Sequence, residues 1–391
     1  MMDWLKIFDE YEAYKKSAPD YAVTAHYYSI YNIASYDCVY SLIYGERSNG
    51  KTYELIRFGI WLYVNYQKQF AYIRRWDTDF TGKRGNTVMN NHVVNGEIKR
   101  MTNGQYTDVY YYSGRWFLCY YGGKAQDKRV LDIKPFAYAF ALNNMEHDKS
   151  TAYPEIELCI FDEFLARGRY LTDEFVIFMN VLSTIIRKRD SVKIFMLANT
   201  VNQYAPYFKE MGLKDIKSQE QGTIVKYNYG ASALSCAVEY CFSLEDKATV
   251  KTNSKYFAFD NPKLKMITGG AWEMDLYPHC PMKYAPKDII MTYFIIFSDD
   301  VLQCEIISKD NATFTYIHRK TTPIQDEDND IIFEQVYDPR LNHFRNMLKP
   351  VNKKMAKLKA FFDCDMVYYQ DNQVGEIVRN YLLWCKTESL K

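Results

Sequence analysis

The chain has 391 residues, enough for two domains, and its 49 basic and 48 acidic side chains nearly cancel, which excludes a uniformly basic nucleic-acid coat but not a local basic patch. Its nine cysteines form no C-x-x-C pair, so free thiols in a reducing compartment are expected rather than a zinc site. No stretch approaches the roughly 18 apolar residues of a membrane span, and Met1 to Lys15 carries acids rather than a leader's apolar run, so a soluble intracellular protein without a membrane partner is expected.

Cys38 to Tyr44 is a short apolar run that ends at Gly45 and reads as a buried strand. Gly45-Glu46-Arg47-Ser48-Asn49-Gly50-Lys51-Thr52 follows and matches G-x-x-x-x-G-K-[ST] in full. From Tyr53 to Tyr66, Leu55, Phe58, Ile60, Leu62 and Tyr63 recur at mostly helical spacing. Strand, glycine loop and helix therefore come in the order a phosphate-binding loop requires. The glycines let backbone N–H groups wrap the phosphates of ATP, Lys51 neutralises the β/γ oxygens, and the Thr52 hydroxyl coordinates Mg²⁺.

Gln69 to Ile73 reads as a second strand, closed by Arg74-Arg75. Residues 76–150 hold a Gly- and Asn-rich stretch, Thr81 to Gly104, and aromatic runs around Tyr110 and Trp116, and they read as inserted hairpins. Glu157 to Phe161 is a third buried strand, closed by Asp162-Glu163. Leu171 to Arg187 is an amphipathic helix with Phe175, Phe178, Met179, Leu182 and Ile186 on one face. Val192 to Ala198 is a fourth strand, ending in Asn199. This alternation predicts a mainly parallel α/β sheet in a domain over 1–222.

Glycines and prolines punctuate 223–285, which reads as a lid or linker. A smaller α+β domain is expected over 286–391. It begins with three antiparallel strands, Ile289 to Phe297, Leu302 to Ser308 and Thr313 to Arg319. An acidic loop, Asp326 to Asp330, a basic run, Arg345 to Lys359, and a final helix, Asn372 to Trp384, complete it.

Asp162 ends a buried strand and is followed by an acid, the Walker B arrangement. Asp162 is expected to hold magnesium through water and Glu163 to polarise the attacking water. That pair suits hydrolysis, and the absence of N-K-x-D argues against a GTPase. Asn199 has two readings, a sensor of the γ-phosphate or a turn residue. Arg47 either contacts the γ-phosphate or Glu163, or is a solvated loop residue. Arg187 is a helix-end cation or, in a ring, a finger reaching a neighbour's nucleotide, with Lys149 in support and Arg189 as a further candidate. Lys83-Arg84 and the basic run, with Lys353, Lys354 and Lys357, either touch nucleic acid or are solvated.

The loop with Arg47 inside it, Phe70-Ala71-Tyr72-Ile73-Arg74-Arg75, Ala152-Tyr153-Pro154, Phe161-Asp162-Glu163-Phe164, Arg187-Lys188-Arg189 and Leu197-Ala198-Asn199 together resemble the DNA-packaging ATPases of phi29-like phages, short relatives of the large terminases. The resemblance covers about residues 38–208, with a weaker echo at Asp371 to Val374. It implies an additional-strand, catalytic-glutamate P-loop core and a degenerate ribonuclease-H-like C-terminal domain. It also implies a homomeric ring, pentameric in the family, docked on the portal of an empty prohead in the host cytoplasm, bridged there by a structural RNA. Such a ring drives double-stranded DNA into the capsid and departs before the tail is added. By position, the family pattern gives Lys51 and Thr52 to nucleotide and magnesium, Asp162 and Glu163 to metal and catalysis, and Arg187 with Lys149 to trans-activation. Trp76-Asp77 stand where a DNA-facing basic residue is expected, which leaves Lys83-Arg84 as the substitute. Asp299-Asp300, Asp363, Asp365 and Asp371 are the acids a nuclease would need, and no nuclease is expected. The alternatives are another ring translocase or helicase, or an assembly protein gated by nucleotide.

Overall fold

Uninterrupted apolar runs become central strands in the computed structural model, which describes residues 2–19, 21, 27–122, 129–147, 152–241 and 272–388. The chain divides into two units. One is Met1–Ala166 with Asp173–Gln203 and Gly212–Trp272; the other is Arg167–Thr172 with Tyr204–Met211 and Glu273–Lys391. Among the described residues no helix is long and apolar enough to cross a membrane.

The first unit is built on strands β1 (Tyr40–Gly45), β2 (Gln69–Arg74), β3 (Asp108–Tyr112), β4 (Arg115–Tyr121), β5 (Arg129–Leu131), β6 (Ala137–Ala141), β7 (Ile156–Asp162), β8 (Lys193–Asn199), β9 (Thr223–Asn228) and β10 (Ser235–Cys241). They form one sheet in the order β3-β4-β6-β2-β7-β8-β1-β10-β9, with β5 on β4. From β6 to β10 the pairing is parallel. The flanks, β3 to β5 and β9, are antiparallel. Strands buried on both faces suit the middle of such a sheet, and every residue of β7 is buried. The strand preceding the glycine loop, β1, and the strand ending in Asp162, β7, are separated by β8, which ends in Asn199.

Helices α1 (Trp4–Ser17), α2 (Lys51–Tyr66), α3 (Lys83–Thr87), α4 (Asn90–Val94), α5 (Glu97–Met101) and α6 (Glu174–Ile186) belong to this unit. Asp3 caps α1 by accepting from the Lys6 N–H. Trp4, Ile7, Phe8 and Tyr11 then recur at helical spacing and are buried, with Phe8 and Tyr11 against the Phe58 ring of α2 at 5.2 and 5.0 Å. Each such buried ring stabilises the fold by about 1.5–3 kcal/mol. Gly59 of α2 permits close approach to the sheet, since a Cβ there would lie 2.6 Å from the Phe70 ring of β2.

Two expectations need correction. Thr81 to Gly104 is not a hairpin but three short helices, because Met89, Ile98 and Met101 find buried places at helical spacing despite the glycines and asparagines. The hairpins begin only at β3. Residues 223–241 are not a lid or linker but the last two strands of the sheet, with β10 beside β1. The acid Glu239 in β10 disguises it as a loop; its half-buried carboxylate is accommodated because the Tyr28 hydroxyl donates to its Oε2 at 2.6 Å. Of the rest of the expected lid, residues 242–271 lie outside the described residues and Glu273 onward belongs to the second unit.

The second unit starts at Glu273 rather than 286 and takes in the two excursions named above. Its strands are β11 (Ile289–Phe297), β12 (Asp300–Lys309), β13 (Ala312–Arg319), β14 (Ile331–Glu334), β15 (His343–Phe344) and β16 (Val367–Tyr369), in the order β15-β14-β11-β12-β13-β16. The first three form an antiparallel meander; β14 runs parallel to β11, β15 to β14, and β16 to β13. Asp310 and Asn311 turn β12 into β13 with φ of 51° and 64°, a left-handed pair that such short polar residues tolerate. Helices α7 (Lys353–Asp363) and α8 (Asn372–Glu388) supply Met355, Leu358, Ile377 and Tyr381 to its core.

Candidate active site

β1 ends at Gly45, the backbone turns through Ser48 (φ 60°) and Gly50 (φ 90°), and α2 starts at Lys51. Left-handed residues of this kind turn successive N–H groups toward one point, and the start of a 16-residue helix adds its positive dipole end. The loop is tied on both sides. Tyr28 N donates to Asn49 O at 2.8 Å, and Asn49 Nδ2 donates to Cys241 Sγ at 3.2 Å. A Cβ on Gly45 would lie 2.1 Å from the Cys241 carbonyl oxygen, so only glycine fits between β1 and the end of β10.

Lys51 is 6 % exposed. Its Nζ donates to Glu46 O, to Asn49 Oδ1 at 3.0 Å and to Asn199 Oδ1 at 3.5 Å. Burial lowers its pKa, while Cys241, Asp162 and Glu46 pull the other way. Thr52 Oγ1 donates to Asp162 Oδ1 at 3.1 Å. The other oxygen of Asp162 accepts from the Tyr72 hydroxyl at 2.6 Å and from Arg74 Nη1 at 3.2 Å. Burial and the Asp162 charge raise the Tyr72 phenol far above its usual range, so it stays a donor. Glu163 leaves β7 at φ 60° with its side chain 59 % exposed, and its carboxylate accepts from Arg74 Nη2 at 2.8 Å. Burial opposes the Arg74 charge, but Tyr72, Asp162, Glu163 and Asp79 more than compensate and raise its pKa.

Neighbouring strand ends thus gather a phosphate-sized nest, a lysine, a hydroxyl beside a carboxylate, an amide and a half-exposed acid. The Thr52 and Asp162 oxygens are the hard donor set that suits Mg²⁺, and the nest with Lys51 suits a polyphosphate.

The remaining expected residues are dispersed. Arg47 and Ser48 are exposed in the loop. Arg187 is exposed at the end of α6 at φ 50°, its N–H donating to Ser183 O at 3.0 Å. Arg189 has a structural role instead: its guanidinium donates to the carbonyls of Tyr153, Pro154 and Ile185 at 3.0, 3.0 and 2.7 Å. Lys149 lies outside the described residues. Lys83 and Arg84 are exposed on α3, and Lys353, Lys354 and Lys357 are exposed on α7, opposite buried Met355 and Leu358. The acids expected to matter for a nuclease have other engagements. Arg319 holds Asp300, Lys359 holds Asp363, and Asp371 caps α8 by accepting from Val374 N. Among the described residues, the carboxylates that meet at metal-ligand spacing are instead Glu334 and Asp338, with His343, and Arg340 already grips both oxygens of Asp338.

Sequence reasoning missed the roles of Tyr72 and Arg74 at Asp162, and of Arg75 and Glu174 behind them. The available signal was a strand ending in two cations in the same domain as a strand ending in two acids.

A family model described as the podovirus DNA encapsidation protein (Gp16) matches residues 23–220, half of the chain. The DNA packaging protein of Bacillus phage phi29 is 26 % identical over 185 residues, 46 % of this chain and 49 % of that protein. That of Bacillus phage B103 is 28 % identical over 182 residues, 46 % and 50 %. The match thus spans about half the length of these curated relatives. The solved bacteriophage phi29 viral genome packaging motor assembly has a chain of similar fold, with a TM-score of 0.52 at 19 % identity, covering 93 % of this chain and 99 % of that one.

Proposed function

Because the chain belongs to the podovirus DNA encapsidation protein family, we propose that it is an ATP-hydrolysing motor that moves double-stranded viral DNA into a preformed prohead. The observation that carries this reading is the 3.1 Å approach of Thr52 to Asp162, with Lys51 at the start of α2, Asn199 at the end of β8 and Glu163 next in line. Lys51 and the loop N–H groups bind the β- and γ-phosphates of ATP. Thr52 and Asp162 would hold magnesium, which would supply charge to polarise the phosphoryl oxygens. Glu163 orients the attacking water and takes its proton, a contribution of about 10²–10⁴ in rate. Asn199 aims its amide at the same γ-phosphate. The 2.8 Å Arg74–Glu163 bond must loosen before the carboxylate accepts a proton.

The finer assignments follow the family resemblance. The protein assembles as a homomeric ring, a pentamer, at the portal vertex within the host cell, with a structural RNA as a further partner. Arg187, exposed and beyond the last turn of α6, reaches the neighbouring subunit's nucleotide, helped by Lys149. Lys83 and Arg84, with Lys353, Lys354 and Lys357, contact DNA phosphates, so affinity falls steeply with salt. The second unit is a degenerate ribonuclease-H-like domain without nuclease activity. The meander β11–β12–β13 with β14 and β15 added in parallel beside β11 supports that fold, and β11 carries no acid from Ile289 to Phe297.

The test combines purified protein with proheads and DNA. ATP-dependent protection of the DNA from added nuclease is expected. Hydrolysis that never protects DNA would favour a nucleotide-gated assembly protein and sink the motor reading. Mixing Arg187→Ala with Glu163→Gln subunits is expected to restore part of the turnover, and no rescue at any ratio removes Arg187 from the trans role.

A further inference from the structure

Arg74 ends β2 and Arg75 directly follows it, and the extended backbone sends them to opposite sides. Arg74 meets the carboxylates described above. Arg75 is 6 % exposed, and its guanidinium forks onto Glu174, Nε to Oε2 at 2.8 Å and Nη2 to Oε1 at 2.9 Å. Other N–H groups of the same fork face backbone: Nη1 donates to Glu163 O at 3.1 Å and Nη2 to Phe164 O at 2.8 Å. Glu174, the buried first residue of α6, supplies the opposite charge that lets Arg75 stay buried. From the other side, Phe164 N donates to Leu197 O of β8 at 3.1 Å. Between these fixed points Glu163 adopts φ 60°, a left-handed conformation rare for a residue with a Cβ. That turn ends the extended path of β7 and projects the Glu163 carboxylate outward.

We propose that Arg75 is a positioning residue for hydrolysis: by gripping the carbonyls of Glu163 and Phe164 it holds the turn that aims the Glu163 carboxylate, and Glu174 in turn aims Arg75. The proposal rests on the reading of Glu163 as the group that activates water. The cation that pairs with Glu174 also takes the carbonyls of Glu163 itself and of the next residue. The planar fork matters, because it serves two carboxylate oxygens and two carbonyls at once, whereas a lysine has one nitrogen to offer.

The test uses the full chain and measures ATP turnover, affinity for a fluorescent ATP analogue, and thermal midpoint. Arg75→Lys keeps a cation beside Glu174 but loses the simultaneous grip on both carbonyls. It is expected to lower kcat by about tenfold to a hundredfold, the cost of displacing a reacting group by about 1 Å, with nucleotide affinity within about twofold. Because a lone change at Arg75 risks stranding buried Glu174, the double change Arg75→Met with Glu174→Met removes the pair together and is expected to reproduce the loss of kcat at unchanged affinity. Unchanged kcat in both variants overturns the proposal. So does a loss of kcat that tracks loss of affinity and folded fraction, which marks a merely structural residue. Full turnover in Glu163→Gln would instead bring down the underlying assignment of Glu163.

Discussion

The two sheets of this protein place charged residues near strand ends in different ways. In the first unit the groups share partners across strands: Asp162 receives Thr52, Tyr72 and Arg74, and Arg74 also holds Glu163 and Asp79. In the second, acids are matched to nearby basic side chains: Asp300 with Arg319, Asp338 with Arg340, Glu334 with His343. Titrations have two origins. In the first unit burial pushes Glu239 up to about 7 and His92 down to about 4. In the second, the bond to Glu305 is the main cause of the raised His318 pKa. Exchangeable partners gathered from several strand ends suit a site whose occupants change during a cycle, and pairs between near neighbours suit a frame.

The largest expected effect tests that contrast directly. Glu163→Gln should lower turnover by about 10²–10⁴ while leaving nucleotide binding intact, whereas Lys51→Ala should abolish binding. The same acid-to-amide change in the second unit, Glu334→Gln, should leave turnover unchanged. If Glu334→Gln impairs hydrolysis as much as Glu163→Gln does, the division of roles is wrong.

Next in size is a stability effect confined to the second unit. Arg167 pairs with Glu376, Nη1 to Oε2 at 2.9 Å and Nη2 to Oε1 at 2.5 Å, and Glu376 is buried. Arg167→Met leaves that carboxylate without its fork, which should cost about 3–5 kcal/mol. Urea unfolding followed by hydrogen exchange in α8 reads it; exchange as slow as in the unaltered protein would show the pair to be dispensable.

These contrasts also explain what the sequence revealed. The glycine loop, Lys51, Thr52 and the strand ending in Asp162-Glu163 were legible because phosphate binding needs fixed spacing along the chain. Asn199 was legible as the end of a strand, although its place beside Lys51 depended on strand order. Arg74, Tyr72 and Arg75 were not, since their partners lie roughly ninety to a hundred positions away and no local pattern marks the meeting. β10 was hidden by Glu239, and the helices of 83–101 by glycine and asparagine, whose weak helix propensity tertiary packing overrode. The meander of the second unit was legible from its alternation, but the parallel additions β14 and β15 were too short to read.

A smaller effect concerns pH. Glu239 titrates near 7 when folded against an ordinary 4.5, chiefly because burial disfavours its charge. Below about 4.5 it is protonated in both states. Between about 4.5 and 7 the folded state holds the proton and the unfolded state does not, so this group costs stability as pH rises, by about 3 kcal/mol in total. Glu239→Gln keeps an acceptor for Tyr28 and should gain about that much on the unaltered protein between pH 4.5 and 8. A difference in urea midpoint that is flat with pH would contradict it.

The smallest effect separates the two origins of a pH dependence. His318 is raised above 6.5 by the Glu305 bond, against burial and the Lys320 charge; its Nε2 lies 3.4 Å from Glu305 Oε1, and its side chain is 26 % exposed. Its contribution is present below 6.5 and is lost as pH rises through the folded pKa, so it runs in the same direction as that of Glu239. Its size is at most about 1 kcal/mol, because a partly exposed pair is screened by solvent. Salt tells the two apart. An attraction between His318 and Glu305 weakens as ions screen it, whereas the desolvation of Glu239 does not. At high salt the pH-dependent difference between the unaltered protein and His318→Gln should therefore shrink, and that for Glu239→Gln should persist. If both shrink together, Glu239 is governed by nearby charge rather than by burial.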